Sequence, residues 1–210
     1  REEISASTDA VISRIESLFP YPVFVKPANL GSSVGISKCS SRANLVEGLM
    51  DAARYDRRVL VERGVNAREI EVSVLGNEDP AASVAGEIRP MDDFYTYEAK
   101  YIHDNSELII PAQIDRAVMS AIQELAVKAF KAIDGAGMAR VDFLLDRDSN
   151  GVFLNEVNTI PGFTKISMYP KLWAASGISY PQLIDRLVDL AIARKADRDH
   201  TVRTFRSDES

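Results

Sequence analysis

The sequence is poor in thiols and imidazoles: its 210 residues hold one cysteine, Cys39, and two histidines, His103 and His200. A lone cysteine cannot close an internal disulfide and gives no metal-ligand spacing, which suits a reducing cytoplasm. Cys39 is expected to pack, and neither histidine belongs to a nucleophile–base constellation. Clustered positive charge is missing too. Lys and Arg number 25 against 31 Asp and Glu, a formal net charge of -6, which excludes a general binder of nucleic acid. No apolar run approaches the roughly 18 residues of a membrane span, and the opening Arg-Glu-Glu-Ile-Ser is no signal peptide. That opening enters a helix directly, as though something preceded it.

What is present is ordinary globular composition, 46% hydrophobic and 27% charged, enough for one large domain or two small lobes. Apolar residues at helical spacing predict a helix over 8–19 with Ser7 or Thr8 as N-cap, and another from Ser41 burying Leu45, Val46, Leu49, Ala52 and Ala53. Between them, strands over 21–26 and 34–39 form a hairpin. A buried strand is expected over 59–62, a half-buried alternating one over 69–75, and its partner over 81–88. Residues 89–111 lack periodicity, and a loop of that length in a compact domain is usually functional or disordered. A helix over 114–133 stops at Asp134 and Gly135. Ser179 to Gln182 is a capping-box pattern for a last helix with Leu183, Ile184, Leu187, Leu190 and Ala191 inward, and 197–210 is a polar tail.

The stretch 139–167 organises the rest. Two apolar runs flank the turn formers of 146–151, which predicts an antiparallel hairpin. Strand alternation puts Arg140 and Asp142 on one face, and folding about Asp148 and Ser149 brings Glu156 opposite Asp142 and Asn158 opposite Arg140. Two readings follow. The charges pair with one another on an exposed face, or they hold a hard cation. Magnesium relies on one or two carboxylates plus substrate phosphates, so Asp142, Glu156 and Asn158 suit it better than zinc, and Arg140 would face the phosphate.

A second candidate lies at Lys26, which ends a strand and is followed by the Gly-Ser tip 31–35. That tip is either an ordinary hairpin turn or a loop laying backbone N–H groups on phosphate oxygens. It is no Walker loop, because no Gly-Lys-Ser/Thr follows and a strand comes next. Glu62, Val65 and Glu69 form an adenosine pocket or are plain strand edge and core.

In order, the segments 24–36 (FVKPANLGSSVGI), 60–62 with 68–72 (LVE, REIEV), 97–101 (YEAKY), 140–143 (RVDF) and 155–164 (NEVNTIPGFT) resemble the ATP-grasp superfamily, and within it the D-alanine–D-alanine ligases. The resemblance runs from about Pro20 to Leu190. It implies an α+β ATP-grasp fold, two α+β lobes with antiparallel sheets holding ATP between them: a partial central lobe over 1–60, a C-terminal lobe over 61–196 with the mobile loop 89–111, and the tail. It further implies that a preceding α/β domain and the first central strands are absent, so that the chain is a C-terminal portion of a ligase.

By the same resemblance, Lys26 holds ATP phosphates and Ser32 with Ser33 closes over the γ-phosphate. Glu62, Arg63 and the backbone near Val65 bind adenine, and Glu69 binds ribose. Lys100 and Tyr101 belong to the closing loop. Asp142, Glu156 and Asn158 carry two magnesium ions, with manganese an alternative, while Arg140 and the Gly162 N–H stabilise the charged intermediate. Ser167, with Met168, meets the second D-alanine. Arg63 is often Lys in the family and the residue at Gly64 is often larger. The implied activity is D-alanyl-D-alanine formation through an acyl phosphate for peptidoglycan, in a cytoplasmic homodimer. The alternatives are a carboxylate–amine ligase for another substrate, or a catalytically incomplete fragment that binds Mg-ATP.

Overall fold

The computed structural model describes residues 1–31, 33–90 and 106–201. They divide into two units, 1–66 in the first and 67–89 with 107–201 in the second.

In the first unit, alternation in β1 (Val23–Pro27) sends Val23 and Val25 to the inner face, where both are fully buried. β1 is the central strand. It pairs antiparallel with β2 (Ser37–Cys39) on one side and β3 (Val59–Arg63) on the other. The helices α1 (Glu2–Ala6), α2 (Thr8–Leu18) and α3 (Arg42–Tyr55) supply Ile4, Ile12, Ile15, Leu45, Leu49 and Ala52 to the same core. Ser41 caps α3 by accepting from the Asn44 N–H at 3.3 Å. Cys39 packs here, and burial raises its thiol pKa.

Three expectations change in this unit. The second hairpin strand covers only Ser37–Cys39, because Ser33 and Gly35 take φ of 59° and 70° and turn the chain before it. A Cβ on Gly35 would lie 2.7 Å from the Tyr55 ring, so glycine is needed there. The strand expected to be buried, β3, leaves Leu60 44% exposed, since the helices cover one face of the sheet. A lobe boundary at 60/61 would also cut β3, which pairs with β1 along all five residues.

The second unit is built on two ten-residue strands, β4 (Ala67–Gly76) and β8 (Gly137–Asp146), paired antiparallel from Ala67↔Asp146 to Gly76↔Gly137. β5 (Ala81–Ala82) and β6 (Gly86–Pro90) pair with the other edge of β4, β7 (Ser106–Ile109) lies beyond β6, and β9 (Val152–Asn158) lies beyond β8. The expected partner strand over 81–88 is therefore two pieces. Between them Ser83 stays tied to β4, its N–H donating to the Ser73 carbonyl at 2.9 Å and its Oγ accepting from the Ser73 N–H at 3.0 Å.

Helix α4 (Arg116–Ala132) packs Ile122, Ala126 and Phe130 on Ile70, Val72, Val74, Val141 and Phe143. On the opposite face, α5 (Met168–Ala175) and α6 (Tyr180–His200) enclose Leu75 with Tyr169, Trp173 and Leu183. Helices on both faces bury β4 continuously from Ile70 to Gly76, where half burial was expected. The Ser179 N–H and hydroxyl both donate to Gln182 Oε1, at 2.9 and 2.8 Å, and fix the start of α6. Leu183 is buried and Leu187 and Leu190 pack against that cluster, but Ile184 and Ala191, expected inward, are exposed. The helix also continues through 197–200, into the stretch read as a tail. Among the described residues, no helix is long and apolar enough to cross a membrane.

Candidate active site

The face of the second sheet next to α5 carries the polar residues singled out from the sequence. β8 pairs with β9 so that Arg140 opposes Asn158 and Asp142 opposes Glu156. A register shift makes this possible: Phe143 opposes Leu154 while Asp142 opposes Glu156, so Asn155 is an extra residue in β9. Without the bulge Glu156 would oppose Val141, whose side chain lies in the apolar core.

Arg140 and Asp142 form a two-point pair, Nε and Nη2 donating to Oδ1 and Oδ2 at 2.7 Å each. Nδ2 of Asn158 donates to Asp142 Oδ2 at 3.1 Å and to Glu156 Oε1 at 3.3 Å, bridging the two carboxylates. Glu71, on the central strand β4 and directly opposite Asp142, places Oε2 3.2 Å from Arg140 Nε. Its side chain is 8% exposed. Burial by itself would lower the Arg140 pKa. The Asp142 hydrogen bonds and the charges of Glu71, Asp142 and Glu156 outweigh it and raise the value above its ordinary one, so Arg140 is a permanent cation.

This donor set fits magnesium. Two carboxylates and one amide side chain share this face across neighbouring strands, and a hard divalent cation needs no more from a protein when phosphates and water complete its shell. Among the described residues no group of three or more His, Cys, Asp and Glu side chains has metal-site geometry. For Asn158 to offer Oδ1 to a cation, its amide would turn over from the orientation in which Nδ2 bridges the carboxylates.

The loop after β9 leads to α5. Ser167 Oγ accepts from the Thr164 N–H at 3.0 Å and lies 2.9 Å from Thr164 Oγ1. A Cβ on Gly162 would fall 3.0 Å from the same oxygen, so Gly162 and Ser167 are neighbours. The loop is pinned through Phe163, whose carbonyl accepts from the Tyr180 hydroxyl at 3.1 Å and whose ring lies 5.8 Å from that of Tyr169. Tyr169 in turn donates to the Val74 carbonyl at 3.0 Å. Met168 is buried, its Cε 2.6 Å from a Cβ built on Gly86.

In the first unit Lys26 Nζ lies 2.8 Å from Glu62 Oε1, because β1 pairs with β3 in a register that puts both on one face. The Gly64 N–H donates to the Pro22 carbonyl at 2.9 Å, and a Cβ on Gly64 would approach that oxygen to 2.5 Å. That contact leaves no room for a side chain at Gly64. Arg63 is exposed and Val65 half-buried in the same unit, while Glu69 is half-buried on β4 in the second. Ser32, Lys100 and Tyr101, with 91–105 of the expected loop, lie outside the described residues. The ends of that loop are strand, Arg89 in β6 and Ser106 in β7. Glu71 was not among the candidates. Alternation in 69–75 places it on the face of Glu69, a signal too common by itself to mark a site.

Two α+β units built on antiparallel sheets, without a barrel, define an ATP-grasp protein, the fold class expected from the sequence. The chain belongs to the D-alanine–D-alanine ligase C-terminal family: the family model described as "D-ala D-ala ligase C-terminus" matches residues 1–189. It is 56% identical over 198 residues to the D-alanine–D-alanine ligase of Heliobacterium modesticaldum, covering 94% of this chain and 54% of that protein. It is 57% identical over 193 residues to D-alanine–D-alanine ligase B of Clostridium tetani, covering 92% and 54%. Among solved structures it resembles the D-alanine–D-alanine ligase of Coxiella burnetii, with a TM-score of 0.79 at 39% identity over 92% of this chain and 51% of that one. VanG D-Ala:D-Ser ligase from Enterococcus faecalis also gives 0.79, at 37% identity over 87% and 53%. The chain spans about half the length of the curated relatives it matches.

Proposed function

We propose that the natural protein carrying this chain is an ADP-forming ligase that joins two D-alanines for peptidoglycan precursor synthesis. The observation that carries this reading is the single sheet face shared by Arg140, Asp142, Glu156 and Asn158 in a chain of this family. The first D-alanine carboxylate attacks the γ-phosphorus of ATP; an O–P bond forms, the bond to the β-phosphate oxygen breaks, and ADP leaves. The amine of the second D-alanine then attacks the acyl carbon, loses a proton, and expels inorganic phosphate as the C–N bond forms. Negative charge grows on oxygen in both steps, and Arg140 is the fixed cation on the face that meets it. Magnesium, as two ions, supplies Lewis-acid stabilisation of the phosphate oxygens. Asp142, Glu156 and Asn158 hold it. Lys26 and the loop with Ser32 and Ser33 bind phosphates, and Glu62, Arg63, Val65 and Glu69 bind the nucleoside. Lys100 and Tyr101 close over the site, and Gly162, Ser167 and Met168 present backbone N–H groups and a hydroxyl to the second amino acid. The protein acts as a cytoplasmic homodimer.

A D-Ala:D-Ser activity is the second reading, favoured by the equal structural likeness to VanG. Phosphate release from Mg-ATP by the natural gene product tests both. D-alanine alone, and not L-alanine, is expected to stimulate release. Stimulation that requires D-serine would select the second reading, and none with either would remove both.

A further inference from the structure

Arg140 lies between two carboxylates that are not equivalent. Asp142 grips it at two points, 2.7 Å each, yet its two oxygens are also the ones a cation on the β8–β9 face would take. Glu71 is on the other side of Arg140, 3.2 Å from Nε, on a strand that carries none of the candidate magnesium ligands. Its surroundings hold it there. The residue opposite Glu71 on β6 is Gly86, and the space where a side chain would stand is filled by Met168 Cε and Leu172 Cδ2, 2.6 and 2.8 Å from a built Cβ. Apolar atoms thus stand on the β6 side of Glu71, and Asp142 and Arg140 stand on the β8 side. With those apolar atoms on one side, Glu71 Oε2 lies beside the guanidinium on the other, 3.2 Å from Arg140 Nε.

We propose that Glu71 is the positioning residue for Arg140: when magnesium draws the Asp142 carboxylate, Glu71 keeps the guanidinium on the face where the phosphoryl group reacts. The inference rests on the reading above that Asp142 is a magnesium ligand. Arg140 exchanges one carboxylate partner for another at its Nε side and does not swing into the cation. Glu71 itself touches neither metal nor substrate.

The test uses the Arg140 Nε–Hε signal in 15N NMR spectra of the natural gene product, with Glu71→Gln to remove charge at nearly constant shape. In the wild type, magnesium with ADP is expected to shift the signal while leaving its hydrogen exchange slow. In Glu71→Gln the exchange is expected to accelerate roughly tenfold or more on adding magnesium and to stay slow without it, the loss of a charge-assisted hydrogen bond. Magnesium affinity should change less than about threefold, since a positioning residue is no ligand. Glu71→Asp, which keeps the charge, should retain most of the protection and serves if the glutamine variant fails to fold. A magnesium-dependent shift in wild type with equal exchange in the variants would overturn the inference and leave the site reading standing. A tenfold loss of magnesium affinity would make Glu71 a ligand and overturn it too. No magnesium effect in wild type would remove the metal assignment and the inference with it.

Discussion

Asp142 and Glu156 face each other across β8 and β9 because β9 accommodates one residue more than β8 between the turn and this pair. Asn155 is that residue, and the bulge carries Glu156 onto the face that Asp142 already shares with Arg140.

Deleting Asn155 is expected to close the bulge and keep Glu156 opposite Asp142, because Leu154 and Glu156 would then follow one another opposite Phe143 and Asp142. Magnesium affinity should stay within about threefold of wild type, since every candidate ligand keeps its face. Thermal unfolding and a magnesium titration read the outcome. A loss of roughly tenfold or more would show that the bulge itself shapes the site.

Asp142→Asn should leave the fold intact, because Glu71 still holds Arg140. Half-saturation by magnesium should rise about tenfold or more, the loss of a charged oxygen ligand. Steady-state kinetics against magnesium at saturating ATP decide it; an unchanged curve would refute the ligand assignment.

Arg140→Lys keeps one charge but loses the planar fork that meets both Asp142 oxygens. The rate should fall roughly a hundredfold, more than a retained charge alone would predict. Equal turnover would make Arg140 structural.

Arg68 and Glu87 form a second two-point pair, at 2.9 and 2.6 Å, with Glu87 1% exposed. The Arg68 hydrogen bonds hold the Glu87 carboxyl below its usual range, against the opposing effect of burial. Its folded pKa being depressed, the pair's stabilisation is present above the ordinary carboxylate pKa and fades as pH falls through the lower folded value. Arg68→Met should cost on the order of 2–3 kcal/mol at neutral pH by leaving the buried charge with only the more distant Arg89, 3.6 Å away, and the loss should shrink in acid. Denaturant melts at pH 7 and pH 4 test this, and a loss independent of pH would point to packing alone.

Gly64→Ala puts a Cβ 2.5 Å from the Pro22 carbonyl oxygen and threatens the hydrogen bond between that oxygen and the Gly64 N–H. A destabilisation of about 1–3 kcal/mol is expected. Chemical unfolding of the variant measures it; neutrality would mean that β1 and β3 part there at no cost.

Much of this was legible in the primary structure because strand alternation is local. Arg140 and Asp142 had to share a face once 139–145 was a strand, and the turn formers of 146–151 had to fold the next run back on it. The Asp134–Gly135 stop and the Ser179–Gln182 cap were likewise read from neighbours along the chain. Burial was harder. The sequence of β4 alternates as a half-buried strand does, and only the arrival of α5 and α6 on its second face buried Glu71 and Ser73. On α6, Ile184 and Leu183 look alike in sequence, and packing chose Leu183.

By itself, then, the sequence determined which side chains could serve oxygen-ligand and phosphate chemistry, and on which side of each strand they stood, because backbone geometry dictates both within a few residues. The tertiary structure decided the partners: the bulge at Asn155, the ion pair of Lys26 with Glu62, and the placing of Glu71 beside Arg140. Those depend on register and packing between segments far apart in the chain, where a shift of one residue turns a side chain from one face to the other.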